Sequence, residues 1–87
     1  MFTVYILFSP GHGRYYIGQT SDINARLIRH NSGYEHATKP YKPWEIKITI
    51  TKDTRSEAMI LEKKLKNLSR ERIQLFILKY GSTDSQI

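Results

Sequence analysis

The chain contains no cysteine. Disulfides, thiolate catalysis and cysteine-bound zinc are therefore excluded, and the cytoplasm is the expected compartment. No apolar run approaches the roughly 20 residues that a bilayer-spanning helix needs. The opening MFTVYILFSP has no basic residue ahead of its apolar stretch and no small-residue cleavage site, so it is not read as a signal peptide. Neither a GxxxxGK phosphate loop nor a GxSxG elbow occurs, and no nucleotide cofactor is expected. His12, His30 and His36 lack the spacing of metal ligands. Acidic residues are scarce: 8 Asp and Glu face 14 Lys and Arg, a formal charge of +6. That excess favours a polyanionic partner, nucleic acid first. A membrane surface is not expected, because no basic amphipathic helix with a broad apolar face is present. Solubility alone is the competing account of the charge.

What is present fits one domain, since 87 residues are too few for two. FTVYILF, residues 2–8, is a continuous apolar and β-branched run, the pattern of a buried strand. SPGHG turns it, and RYYIG, residues 14–18, returns as the second arm of a hairpin. Ser21 or Asp22 can cap a helix running to about Asn31, with Gly33 as its stop. KPYKPW is a stiff connector, and EIKITITK alternates Ile46, Ile48 and Ile50 on the buried face of a third strand. TRSE, residues 54–57, has capping-box spacing and opens a helix to about Leu68. Ser69 caps a last helix ending near Tyr80 and Gly81. The expected fold is α+β in the order β-β-α-β-α-α: a three-stranded antiparallel sheet flanked by three helices. It occupies residues 1–81, and 82–87 reads as a frayed, disordered tail.

Few residues invite chemistry. Arg26 and His30 are four apart, about 40° apart on one helix face, bordering the stripe that packs on the sheet. Tyr5 and Tyr16 fall on strands that pair, where packing is the ordinary explanation. Gly18 marks a bend or a close approach. Ala58, Leu61, Leu65 and Leu68 form a buried stripe on the second helix, and Glu62 lies between it and Met59. A carboxylate there must be paired, protonated or bound to a cation. The bland account is an i,i+4 pair with Lys66. Lys63, Lys64, Lys66, Arg70 and Arg72 form a basic band, either a solvated surface or a phosphate track.

Taken together, TVY (Thr3 to Tyr5), YIG (Tyr16 to Gly18), Arg26, His30 and Glu62 in SEAMILEKKLK resemble the GIY-YIG nuclease family. HNSG and TKPYKPWE resemble its small free-standing members, close to the excinuclease-type catalytic module. Thr3 replaces the glycine of the family name, and Asn67 is too close to Glu62 to match the asparagine found downstream in some branches.

The resemblance implies a metal-dependent phosphodiesterase, a DNA endonuclease of repair, recombination or processing. It assigns Tyr5 the general-base role and Tyr16 the orientation of water or phosphate. Arg26 would hold the scissile phosphate, Glu62 would bind one Mg²⁺ or Mn²⁺, and His30 would handle protons around the tyrosines; Gly18 is the motif's structural glycine. DNA is the implied partner, together with a protein that directs cleavage. A tyrosine is a poor base near neutral pH unless positive charge lowers its pKa, and Arg26 with the cation is expected to supply that charge. A weakly catalytic nucleic-acid-binding module stays open as an alternative, and a protein-interaction domain with incidental charge is a third reading.

Overall fold

A computed structural model describes residues 1–81; the expected tail, 82–87, lies outside the described residues. The elements are β1 (Phe2–Ser9), β2 (Arg14–Thr20), α1 (Ile23–Ser32), a 3-10 turn (Lys39–Tyr41), β3 (Glu45–Lys52), α2 (Arg55–Lys66), α3 (Arg70–Phe76) and a wide turn (Ile77–Gly81). They form an antiparallel sheet in the order β2-β1-β3, in the expected α+β arrangement.

The uninterrupted apolar run of β1 is explained by its central place. Val4, Tyr5, Ile6 and Leu7 are all at most 1% exposed, because both faces of the sheet are covered. Val4 and Ile6 join Ile17, Ile48, Ala58, Leu65 and Ile73 under α2 and α3. Tyr5 and Leu7 point the other way, to Trp44, Tyr16 and the α1 residues Ile23 and Leu27. Each fully buried side chain of this size contributes about 1.5–3 kcal/mol, so the central strand anchors both layers.

Local signals set the boundaries. Gly13, at φ 63°, closes the hairpin where its amide reaches the Ser9 carbonyl, a conformation that disfavours a Cβ. Asp22 caps α1 by accepting from the Ala25 amide, and Gly33, at φ 83°, ends it. Thr54 and Glu57 make the expected capping box. One expectation needs correction, and two helix ends are refined. A bulge between the partners of Ile6 and Leu7 puts Ile46 opposite Leu7, so Ile46 leaves the face of Ile48 and is 38% exposed. Helix α2 stops at Lys66, where Ser69 starts a separate cap. The last helix keeps regular geometry only to Phe76; its final turn widens, holding Ile77 on the core and bringing Gly81 beside Lys47 of β3. Among the described residues, no helix is long and apolar enough to cross a membrane.

Candidate active site

The site starts from an absent side chain. Gly18 stands opposite Tyr5 in the β1–β2 register, and a Cβ there would lie 2.5 Å from the Tyr5 hydroxyl oxygen and 2.7 Å from Cζ. The glycine is neither a bend nor a strand end. It sits within β2 and leaves room for the Tyr5 ring to lie across its neighbouring strand.

That placement carries the Tyr5 hydroxyl to His30 Nε2, 3.1 Å away. His30 Nδ1 is 2.8 Å from Thr38 Oγ1, and Thr38 Oγ1 donates to the Glu35 carbonyl at 3.4 Å. The directions follow the His30 tautomer: protonated at Nδ1, His30 donates to Thr38 and its Nε2 accepts from the Tyr5 hydroxyl, which leaves the single Thr38 proton for Glu35. His30 and Thr38 are each 1% exposed. This exceeds the expectation that His30 merely borders the packed stripe: the ring lies inside the α1 layer because it meets Tyr5, Tyr16 and Thr38 there.

Burial also decides the protonation states. It pushes the Tyr5 hydroxyl up to about 12, with Tyr16 adding to the rise and Arg26 opposing it. In the protein alone desolvation outweighs the guanidinium; the expectation drew on Arg26 together with a cation. Burial likewise lowers His30 against the opposing pull of Glu35, which favours the neutral imidazole. In the tautomer protonated at Nδ1 the pair is a phenol donating to a neutral imidazole.

Tyr16 lies beside this chain, its ring centroid 4.9 Å from His30, 6.4 Å from Tyr5 and 6.2 Å from Trp44. Three residues that were given no site role from sequence, Asn31 of HNSG and Thr38 and Trp44 of TKPYKPWE, hold the layer. The Trp44 indole donates to the Thr38 carbonyl at 2.9 Å. Asn31 clamps the Trp44 backbone, accepting from its amide at 2.6 Å and donating to its carbonyl at 3.1 Å. Thr38 itself sits in the connector, where only the fold brings it under α1.

Arg26, half-buried one turn before His30, reaches a hollow of about 310 Å³ shared with Phe2, Gln19, Thr20, Ser21 and Arg55. Glu62 is on α2, which covers the other face of the sheet. Its Oε1 accepts from Gln19 Nε2 at 3.2 Å and its Oε2 pairs with Lys66 at 3.0 Å. Its effect on Tyr5 is a through-space charge and the weakest of the influences there.

Among the described residues, no three or more His, Asp or Glu side chains cluster as a metal site. Glu62 alone offers the hard, charged oxygens that Mg²⁺ or Mn²⁺ prefers, and Gln19 fixes its orientation. The Lys66 ion pair is half-exposed and of small strength, so a divalent ion can displace it. The donor chemistry fits one such ion that keeps most of its waters.

The five basic residues line several hollows or brace the hairpin. Lys63 and Lys66 line a hollow with Glu62 and Met59. Lys64 faces another with Lys52, and Arg72 a third with Lys79. Arg70 is spent on the hairpin, donating to the Gly13 carbonyl and lying over the Tyr15 ring.

The GIY-YIG catalytic domain model matches residues 1–75. A UPF0213 protein of Halobacterium salinarum is 37% identical over 71 residues, 80% of this chain and 91% of that one. A UPF0213 protein of Staphylococcus epidermidis is 38% identical over 60 residues, covering 68% and 73%. In three dimensions the chain is similar to the solution structure of a UPF0213 protein from Bacillus halodurans, with a TM-score of 0.62 and 31% identity over 93% of this chain and 87% of that one. The paired Tyr5 and Tyr16, the glycine that seats the first of them, and a family match over nearly the whole described chain lead to one conclusion: this protein belongs to the GIY-YIG family of nuclease-type domains.

Proposed function

We propose that the protein is a DNA endonuclease that hydrolyses phosphodiester bonds with one Mg²⁺ or Mn²⁺ held by Glu62, acting in the cytoplasm in repair, recombination or processing. The observation that carries this reading is the hydrogen-bonded series Tyr5, His30, Thr38 with Arg26 beside its open end. Burial holds the Tyr5 hydroxyl up at about 12 in the protein alone, which disfavours a preformed phenolate near neutral pH. The site works instead by relay: Tyr5 takes a proton from the attacking water as its own hydroxyl proton passes to His30 Nε2. The lone pair at Nε2 makes this transfer possible, and the lowered basicity of His30 returns the proton readily. The oxygen of the water bonds to phosphorus, the P–O bond to the leaving sugar oxygen breaks, and that oxygen takes a proton from solvent. Arg26 neutralises the charge that builds on a non-bridging oxygen, and Tyr16 orients the water or the phosphate. A divalent ion bound at Glu62 would supply further neutralisation of phosphate charge. DNA structure or a partner protein, rather than base sequence, selects the site cut.

A second reading, a nucleic-acid-binding module with weak or no catalysis, is favoured by one observation: Glu62 is already paired with Lys66 and Gln19. Two substitutions separate the readings. Arg26→Ala is expected to lower cleavage about a hundredfold or more with the fold intact, as loss of a transition-state charge contact does. Glu62→Gln is expected to abolish cleavage at ordinary Mg²⁺ while DNA binding persists. An active Glu62→Gln protein would sink the metal assignment, leaving Glu62 as a helix-surface pair worth about 0.2–0.5 kcal/mol.

A further inference from the structure

Arg55 is the first residue of α2 and is exposed, and its neighbours Thr54 and Glu57 are occupied with the capping box. It makes no salt bridge with another described residue. Across the 310 Å³ hollow it faces Arg26, with Gln19, Thr20, Ser21 and Phe2 completing the walls. No carboxylate lines this space, although Glu62 is one side chain away through Gln19. Two guanidiniums on a common hollow repel each other unless an anion sits between them, and the Ser21 hydroxyl and the second amide proton of Gln19 can donate to oxygen there, whereas the Thr20 hydroxyl is spent on the Asp22 carbonyl. The two arginines come from different elements, α1 and α2, on opposite sides of the sheet.

We infer that Arg55 holds a second backbone phosphate of the nucleic acid, next to the one held by Arg26, so that the hollow spans two successive phosphates of one strand. This deepens the nuclease reading and rests on it for the role of Arg26. It assigns Arg55 to binding and not to the chemical step: the enzyme would grip a polynucleotide at two points and a simple phosphodiester at one. The contact would make Arg55 a source of affinity for polymer over monomer, independent of base sequence.

The test uses the full chain and a fluorescein-labelled duplex oligonucleotide in EDTA, where anisotropy reads binding without cleavage. Arg55→Ala is expected to weaken binding about tenfold, to lower the slope of log K against log salt by about 1, and to leave the melting temperature unchanged. Arg55→Lys keeps the charge and is expected to recover the slope. In parallel, hydrolysis of bis(p-nitrophenyl) phosphate with Mn²⁺ is expected to fall far less for Arg55→Ala than for Arg26→Ala, which loses it. Wild-type affinity and slope in Arg55→Ala would overturn the proposal whether or not the protein cleaves DNA. A loss of affinity at unchanged slope would also overturn it, because the contact would then not be with a phosphate. If the wild-type protein cleaves nothing yet Arg55→Ala loses slope, the phosphate contact stands and the nuclease reading falls.

Discussion

At the scale of single residues, one missing Cβ and one buried imidazole organise the site. Gly18→Ala places a methyl group 2.5–2.7 Å from the hydroxyl end of Tyr5, whose ring is buried and held by His30. Neither strand can retreat without disturbing the central ladder, so the substitution is expected to cost about 1–3 kcal/mol, as overpacking does, and to depress cleavage by displacing Tyr5. Chemical denaturation and a nuclease assay on the same variant check both. The two shifted groups also predict how stability depends on pH. Tyr5 is raised on folding, so its contribution is fully present below about pH 10 and is lost as pH rises through about 12. His30 is lowered, so the unfolded chain binds the extra proton: its contribution is complete above about 6.5 and is lost as pH falls through its lower folded value. Glu35, lowered by its bond to Arg29, adds a loss on the carboxylate side at more acidic pH. Melting temperature is thus expected to be level between about pH 6.5 and 10. Tyr5→Phe should flatten the alkaline limb and His30→Gln the first part of the acid limb; unchanged limbs would contradict the assignments.

At the scale of elements, the two long helices share a capping device and differ in what they carry. Asp22 accepts from Ala25 at the start of α1, and Thr54 accepts from Glu57 at the start of α2. Removing either side chain is expected to cost about 1 kcal/mol. Helix α1 bears Arg26 and His30 in its first and second turns, so Asp22→Ala is expected to slow cleavage more than its stability loss explains. Thr54→Ala should lose the same stability with cleavage kept, since Glu62 lies two turns beyond the cap. Denaturant midpoints and single-turnover rates compare the two directly.

At the scale of the whole molecule, the formal charge is +6. Lys63 shares the hollow of Glu62, while Lys64 shares one with Lys52 on the other flank of α2. If DNA approaches the Glu62 side, Lys63→Glu is expected to weaken binding and reduce its salt slope, and Lys64→Glu to change both far less. Equal effects from the two would indicate diffuse attraction without a preferred face.

The boundary between what is written in the sequence and what the fold supplies follows from the range of the forces involved. Strands, caps, turns and element order were legible, because β-branched runs, Asp22, Thr54 with Glu57, Gly13 and Gly33 act within a few residues of themselves. Tyr5, Tyr16, Arg26 and His30 were legible as a set only through the family resemblance, and the structure brings them together. The depth of His30 was not, since a helix position shows which face it is on and not how closely the facing layer packs. Asn31, Thr38 and Trp44 were legible only as members of the HNSG and TKPYKPWE stretches and not by their contacts, because those partners lie 6 to 13 residues away and meet only when the connector folds under α1. The bulge that turns Ile46 aside, the scattering of the basic residues over three hollows and the meeting of Arg26 with Arg55 depend on how two helix layers close over one sheet. So does the state of Tyr5. Sequence shows the arginine that would lower its pKa, but only the packed structure shows the burial that raises it more, because desolvation is a property of everything around a group and not of its neighbours in the chain.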